Sequence, residues 1–312
     1  MQDLAIIIST TLMYSTPLIY TALGGVFSEN SGIINIGLEG MMTVGAFAGA
    51  TAGYFTGNPW IAFLIGGIAG MLFALIHAVA TINFNADHTI SGVAINLLAP
   101  GLSLFLAKIL FDGATTTPTI PMENKMPRIF ANIFPSGGIL DTIFNNYATV
   151  YIAFILVAVV YYVLYKTKFG LRIRAVGEHP GAADTLGINV SRVRYSGVLI
   201  SGFLAGLGGA SMSLALVSSF RPTLVSGQGY IAMAAVIFGK WRPQWAALAC
   251  LLFGFSTALS VYFGSPTLPF TINENLLSMI PYIVTLIVLI LFVKSSKAPS
   301  ALGNPYKKGE RY

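Results

Sequence analysis

KFGLRIRAVGEHPGAADTLGINVSRVR, Lys168 to Arg194, is the one long, charged, helix-forming stretch in a chain that is otherwise as apolar as lipid. Arg172 and Arg174 follow directly on a strongly apolar run, and His179-Pro180 supplies a helix start. The spacing predicts a short helix over Gly181 to Leu186 that Gly187 ends. Ala182, Ala183 and Leu186 fall at helical spacing, so one side of that helix could insert into a groove on another protein. A plain surface loop held at a membrane face by its positive charge fits the same residues. Everything on either side reads as membrane.

Of the 312 residues, 55% are hydrophobic and only 9% charged, with a mean hydropathy of +0.76; soluble domains carry about 25% charged residues. Apolar runs of about 20 residues, the length that crosses a ~30 Å hydrocarbon core, recur along the chain. The short alternating strands of a membrane barrel do not. The expected fold is therefore all-α, a polytopic transmembrane helix bundle filling 1–312 as one domain. Nine spans are expected: Leu4 to Gly24, Ile33 to Phe55, Pro59 to Ile82, Thr89 to Phe111, Tyr147 to Tyr165, Tyr195 to Val217, Thr223 to Gly239, Gln244 to Tyr262 and Leu276 to Val293. MQDLAIII, with Asp3 and no basic region or cleavage site, reads as the first span rather than a removable signal. The polar tail from Lys294 to Tyr312 is expected to be flexible.

Several function classes drop out. Cys250, the only cysteine, lies in an apolar run, and His77, His88 and His179 are too scattered for a metal cluster. The net charge of +6 does not point to nucleic acid, because the basic residues lie in loops between spans, where they set orientation. No G-x-x-x-x-G-K-[ST] loop occurs, and Gly239-Lys240 is followed by Trp241. No catalytic constellation is present either. Energy for any transport must arrive through a partner or an ion gradient.

Two stretches interrupt the apolar pattern. Ser28 to Gly40 holds Glu29, Glu39, Asn30 and Asn35 among three glycines. Asn35 and Glu39 are four apart and share a helical face; a carboxylate at membrane depth faces a cavity or a partner rather than lipid. The second is Ser218 to Gly229, with Phe220, Arg221, Pro222, Ser226, Gly227 and Gln228. Aligning Gly37-Leu38-Glu39-Gly40 with Gly227-Gln228-Gly229 places broken helix starts in corresponding positions of two halves, the pattern of an internal repeat with a midplane substrate route. Ser91 and Asn96 join the candidates, since Pro100 frees the Asn96 carbonyl and predicts a kink; Pro281 predicts another. Asn35, Glu39, Ser91, Asn96, Phe220, Ser226, Gln228 and Tyr230 are the candidate pathway residues, suited to an uncharged solute with a flat, hydrogen-bonding ring. Structural glue between helices is the competing reading for the polar ones. His77 is read as a polar contact inside the bundle, and 83–88 as a turn.

GLRIRAVGEHPGAADTLGINV resembles the cytoplasmic coupling segment of ABC-importer permeases, in the branch serving simple sugars, nucleosides and branched-chain amino acids. ENSGIINIGLEGMM (Glu29 to Met42), ADHTISGVAINLLA (Ala86 to Ala99), SGQGYIAMAAVIFGKW (Ser226 to Trp241) and PYIVTLIVLI (Pro281 to Ile290) agree with the same branch. The likeness is greatest to nucleoside importer permeases, with a simple-sugar or branched-chain amino acid permease as the alternative. An ion-coupled secondary transporter is the reading from another class, and it would need more buried charges than Glu39 and Glu29. The resemblance implies a coupling segment over 168–194, with Arg172, Arg174, Gly177, Glu178, His179, Pro180, Ala182, Ala183, Leu186 and Gly187 facing a partner ABC ATPase. It also implies a second, related permease chain and a lipoprotein substrate-binding receptor, for which the 112–146 loop is a docking surface. No cofactor is expected in this chain; ATP and magnesium belong to the ATPase. With 168–194 in the cytoplasm of a multi-pass protein of the cell membrane, the N-terminus lies outside and the C-terminus inside. Lys166, Lys168, Arg172, Arg174, Arg192, Arg194, Lys240, Arg242, Lys294, Lys297, Lys307, Lys308 and Arg311 then fall inside, and Lys125, Arg128 and Arg221 outside.

Overall fold

The computed structural model describes residues 1–131, 133–135, 137–265, 273–292 and 297–307. Val293, Lys294, Lys308 and Arg311 lie outside the described residues. Twelve α-helices follow one another among them: α1 (Gln2–Asn30), α2 (Leu38–Thr56), α3 (Pro59–Ala78), α4 (His88–Leu110), α5 (Ile139–Phe144), α6 (Ala148–Lys166), α7 (Lys168–Glu178), α8 (Pro180–Thr185), α9 (Val190–Ser211), α10 (Gln228–Phe238), α11 (Pro243–Phe263) and α12 (Glu274–Phe292). Single π-helical turns extend α3 over Val79–Asn83 and α9 over Met212–Leu216. Six of these helices, α1, α3, α4, α6, α9 and α11, are long and apolar enough to cross a membrane. Local signals place the ends. The Asn58 side chain accepts from the Trp60 and Ile61 amides at 3.0 and 3.3 Å, with Pro59 in the first helical position. Gly57, at φ +65°, ends α2.

α9 is the central helix, packed against α1, α2 and α3. Its small residues make this possible. A methyl group on Gly206 would overlap the Gly66 carbonyl, and one on Gly209 the Met42 carbonyl. Backbones thus touch backbones, as small residues at regular helical spacing allow where lipid offers no hydrophobic drive between helices. α4 continues as one helix through Pro100, and α12 through Pro281.

The bundle has two distinct ends. At one, here the base, lie α7, α8, the turn 239–242 and residues 297–307. At the other lies the loop that begins at Asp112, whose residues 117–126 are folded onto the bundle: the Ile120 amide donates to the Ser218 carbonyl at 2.8 Å, Thr117 and Phe220 exchange two bonds, and Ile120 and Met126 are buried.

Two expected spans differ. Ile33 to Phe55 is helical only from Leu38: the amides of 31–33 close the end of α1, and the backbone of Ile34 and Ile36 bonds to side chains of other helices instead of along the chain. Thr223 to Gly239 is helical only over α10, because Gly227 stands at φ +91°, which no α-helix accommodates. The tail also differs from its expected flexibility. Residues 297–307 are docked, with the Ala301 amide on the Gly177 carbonyl at 2.9 Å and the Gly303 amide on the Gly32 carbonyl at 3.0 Å.

Candidate functional site

The two interruptions meet. One carboxylate oxygen of Glu39, in the first turn of α2, accepts from the Gly227 amide at 2.6 Å; the other accepts from the Gly229 amide at 2.7 Å. Gly227 and Gly229 lie at the start of α10, where the free amides and the helix dipole favour an anion. α2 leads from this contact to Gly57, beside Asn124 at the far end. α10 leads the opposite way, to Trp241 at the base. Their 19 and 11 residues are about 28 and 16 Å long, together close to the ~43 Å of α1. Glu39 therefore lies well inside the bundle, between two half-helix N-termini that point at each other.

Asn96 of α4 completes the arrangement. Its side-chain oxygen accepts from the Gly40 amide at 2.8 Å, and its amide donates to the Ile36 carbonyl and the Tyr230 hydroxyl, both at 2.9 Å. Glu39, Asn96 and Tyr230, from α2, α4 and α10, thus form one polar cluster. Tyr230 is 44% exposed and Glu39 half-buried, so the cluster opens on a face where Val93 and Leu97 of α4 are also uncovered. Gln228 lies half-buried in the first turn of the same α10.

The other candidates lie elsewhere. Asn35 is fully buried and donates to the Ser201 hydroxyl of α9 at 2.9 Å. Ser91 bonds to His77 Nδ1 at 2.8 Å. Phe220 is fully buried edge-on against Phe47. Ser226 is exposed and donates to the Thr223 carbonyl. Asn35, Ser91 and Phe220 are spent on contacts between helices, whereas Ser226 is exposed and bonds only within its own turn.

Two histidines, His77 read from the sequence as a bundle contact and His88 as the end of a turn, share a role. His77 Nε2 donates to the Ile34 carbonyl at 3.0 Å, so Nδ1 accepts from Ser91. His88 Nδ1 accepts from the Ile34 amide at 3.3 Å. With Asn96 on Ile36 and Gly40, these side chains satisfy the backbone groups freed by the break at 31–37. The only sequence signal was the position of His77 in an apolar run; His88 stands in the polar stretch Asn85 to Thr89.

At the base, α8 and Gly187 (φ +80°) form as expected, but the coupling candidates do not share a face. Ala183 is buried against the chain itself, with its carbonyl accepting from Ile188, while Ala182 and Leu186 are exposed, Leu186 by 81%. Arg174 turns back, donating to the Leu164 carbonyl at 3.1 Å and lying over the Tyr165 ring. Gly177 packs on Asn30, Glu178 holds Ser300, and Arg172, His179 and half-buried Pro180 remain at the surface.

The family described as branched-chain amino acid transport system / permease component matches residues 7–291. The chain belongs to this permease family. It is a multi-pass membrane protein and a transport component. The permease is 46% identical to the guanosine ABC transporter permease protein NupQ of Bacillus subtilis, over 99% of both chains. It is 44% identical to the nucleoside ABC transporter permease protein NupC of Lactococcus lactis, again over 99% of both. A more distant relative, the guanosine ABC transporter permease protein NupP of Bacillus subtilis, is 26% identical over 97% of this chain and 85% of its own.

Proposed function

We propose that this permease is the membrane-spanning subunit of an ATP-driven importer of nucleosides, moving its solute by alternating access. The full-length identity of 46% and 44% with a guanosine and a nucleoside permease carries this reading. The polar cluster agrees with it. Asn96, the Tyr230 hydroxyl and Gln228 offer neutral hydrogen-bonding groups beside an aromatic ring, which suits an uncharged solute with a flat, polar ring. Glu39 is already engaged by two backbone amides, so it acts by holding α2 to α10 and, in the other state of the cycle, releasing them.

A second, related permease chain covers the open face. A half-buried carboxylate and a phenol at hydrocarbon depth are costly against lipid, and the solute route then runs between the two chains. The likeness to both NupQ and NupP, two guanosine permeases of one organism, supports a partner that is related but not identical. ATP is hydrolysed by a separate ATPase with its magnesium, docking on the exposed side of α8 at Ala182 and Leu186. A lipoprotein receptor delivers solute at the end carrying 112–146. The base is cytoplasmic, so the N-terminus lies outside, consistent with the basic residues gathered around α7 and the turn 239–242.

The test is uptake of radiolabelled uridine and guanosine by cells lacking this chain, with ribose and leucine as parallel controls. Selective loss of nucleoside uptake, restored by the intact gene, is the expected result. Loss of ribose or leucine uptake instead overturns the substrate and leaves the permease.

A further inference from the structure

We propose that residues 297–307 are a strap that stays docked through the transport cycle and carries the movement of α8 to the broken segment 31–37. The inference rests on the reading of α8 as the place where an ATPase docks, and it adds the route by which that push reaches the polar cluster.

The strap touches both things it would connect. At one side, the Ser300 amide and hydroxyl both donate to Glu178 Oε2, at 3.2 and 2.7 Å, and the Ala301 amide donates to the Gly177 carbonyl. Glu178 is the last residue of α7, and only His179 separates it from α8. At the other side, the Gly303 amide donates to the Gly32 carbonyl, and Leu302 and Tyr306 pack against the core. Ala301 itself is buried. Such a segment is built in rather than laid on.

Glycines make the junction close. Gly32 stands at φ +93° and Gly303 at φ +80°, backbone that other residues adopt only under strain. A Cβ on Gly303 would lie 2.9 Å from Ile34 Cδ1, and one on Gly32 3.3 Å from the Ala301 carbonyl oxygen. Gly177 allows α7 to touch the Asn30 carbonyl directly. From Gly32 the chain runs through Ile34, held by His77 and His88, and Ile36, held by Asn96, to Glu39. Only six residues separate Gly32 from Glu39. A packed, hydrogen-bonded chain of this kind transmits displacement when its end elements have two arrangements.

Four chains separate the possibilities: the intact permease, one lacking 308–312, one lacking 299–312, and Gly303→Val, each made in cells and purified with its ATPase. Membrane level, ATP hydrolysis and guanosine uptake are measured together. The intact chain and the one ending at Lys307 are expected to behave alike. In the other two, insertion and ATP hydrolysis persist while uptake falls about tenfold, a coupling loss of ordinary size. Ser300→Ala, measured as a fifth chain, gives a smaller loss in the same direction.

Unchanged uptake in the chain lacking 299–312 overturns the strap. So does a parallel fall of uptake, hydrolysis and membrane level, which marks a merely structural tail. If the intact chain imports ribose or leucine but not guanosine, the substrate reading fails, and the same split between hydrolysis and uptake is read on that solute.

Discussion

Glu29 and Glu39 are ten residues apart on either side of one break, and their surroundings differ in kind. Glu29 is 3% exposed and accepts from the Trp241 indole, while Asn30 beside it donates to the Trp241 carbonyl at 3.0 Å. α7 and the strap close over the same spot. Glu39 is half-buried, held by backbone amides of α10 and beside a tyrosine open to the surface. A carboxylate surrounded on all sides by fixed packing can serve as a rivet. One held at a helix end on an open face can be let go, because water or a solute can take the place of its partners. The two acids teach that a charge in a membrane bundle is not by itself a pathway residue.

The largest effect is expected at the rivet. Gly177→Val places side-chain carbon on the Asn30 carbonyl and should cost about 3 kcal/mol or more by overpacking. Folded protein in the membrane and the melting temperature in detergent should both fall, and a normal yield would show that the base is looser than the structure makes it.

Next is the open acid. Glu39→Ala removes the acceptor for the Gly227 and Gly229 amides at an open face, where water can take its place and little stability is lost. Nucleoside uptake should drop by about 100-fold while the melting temperature stays near that of the parent. If stability falls as far as uptake, Glu39 is a second rivet and the contrast fails.

Glu29→Gln keeps an oxygen for the Trp241 indole. It is expected to cost about 1 kcal/mol of stability and to leave uptake within about twofold, read in the same two assays. A 100-fold uptake defect here would put Glu29 on the pathway.

The smallest effect belongs to Tyr230→Phe, which loses one neutral hydrogen bond to Asn96 of about 1 kcal/mol. A rise of a few-fold in the half-saturating guanosine concentration, with maximal uptake preserved, would sharpen the assignment of this ring to solute binding.

Much of the architecture was legible. Long apolar runs can do little else in a bilayer than form helices, so spans such as Pro59 to Ile82 and Gln244 to Tyr262 fall within a few residues of the observed helices. The short helix before Gly187 was legible because proline and glycine act locally on φ. Among the pathway candidates, Glu39, Asn96, Gln228 and Tyr230 lie at or beside one cluster, whereas Asn35, Ser91, Phe220 and Ser226 do not. Nothing local distinguishes Asn35 from Asn96: the same side chain bonds to a hydroxyl in the core in one case and to a tyrosine at an open face in the other.

The sequence by itself determined the all-helical membrane fold, the two interruptions and the helix that stands apart at the base, since these follow from hydrophobic length and from backbone preferences within a few residues. Tertiary structure alone decided that the interruptions meet through Glu39 and the Gly227 and Gly229 amides, and that Ala183 turns inward while Leu186 stays out. It alone decided that a polar tail closes over Gly32 and Gly177. Those outcomes depend on which backbones approach closely enough to exchange hydrogen bonds, and that distance is set by the packing of α9 against its neighbours rather than by any neighbouring residue in the chain.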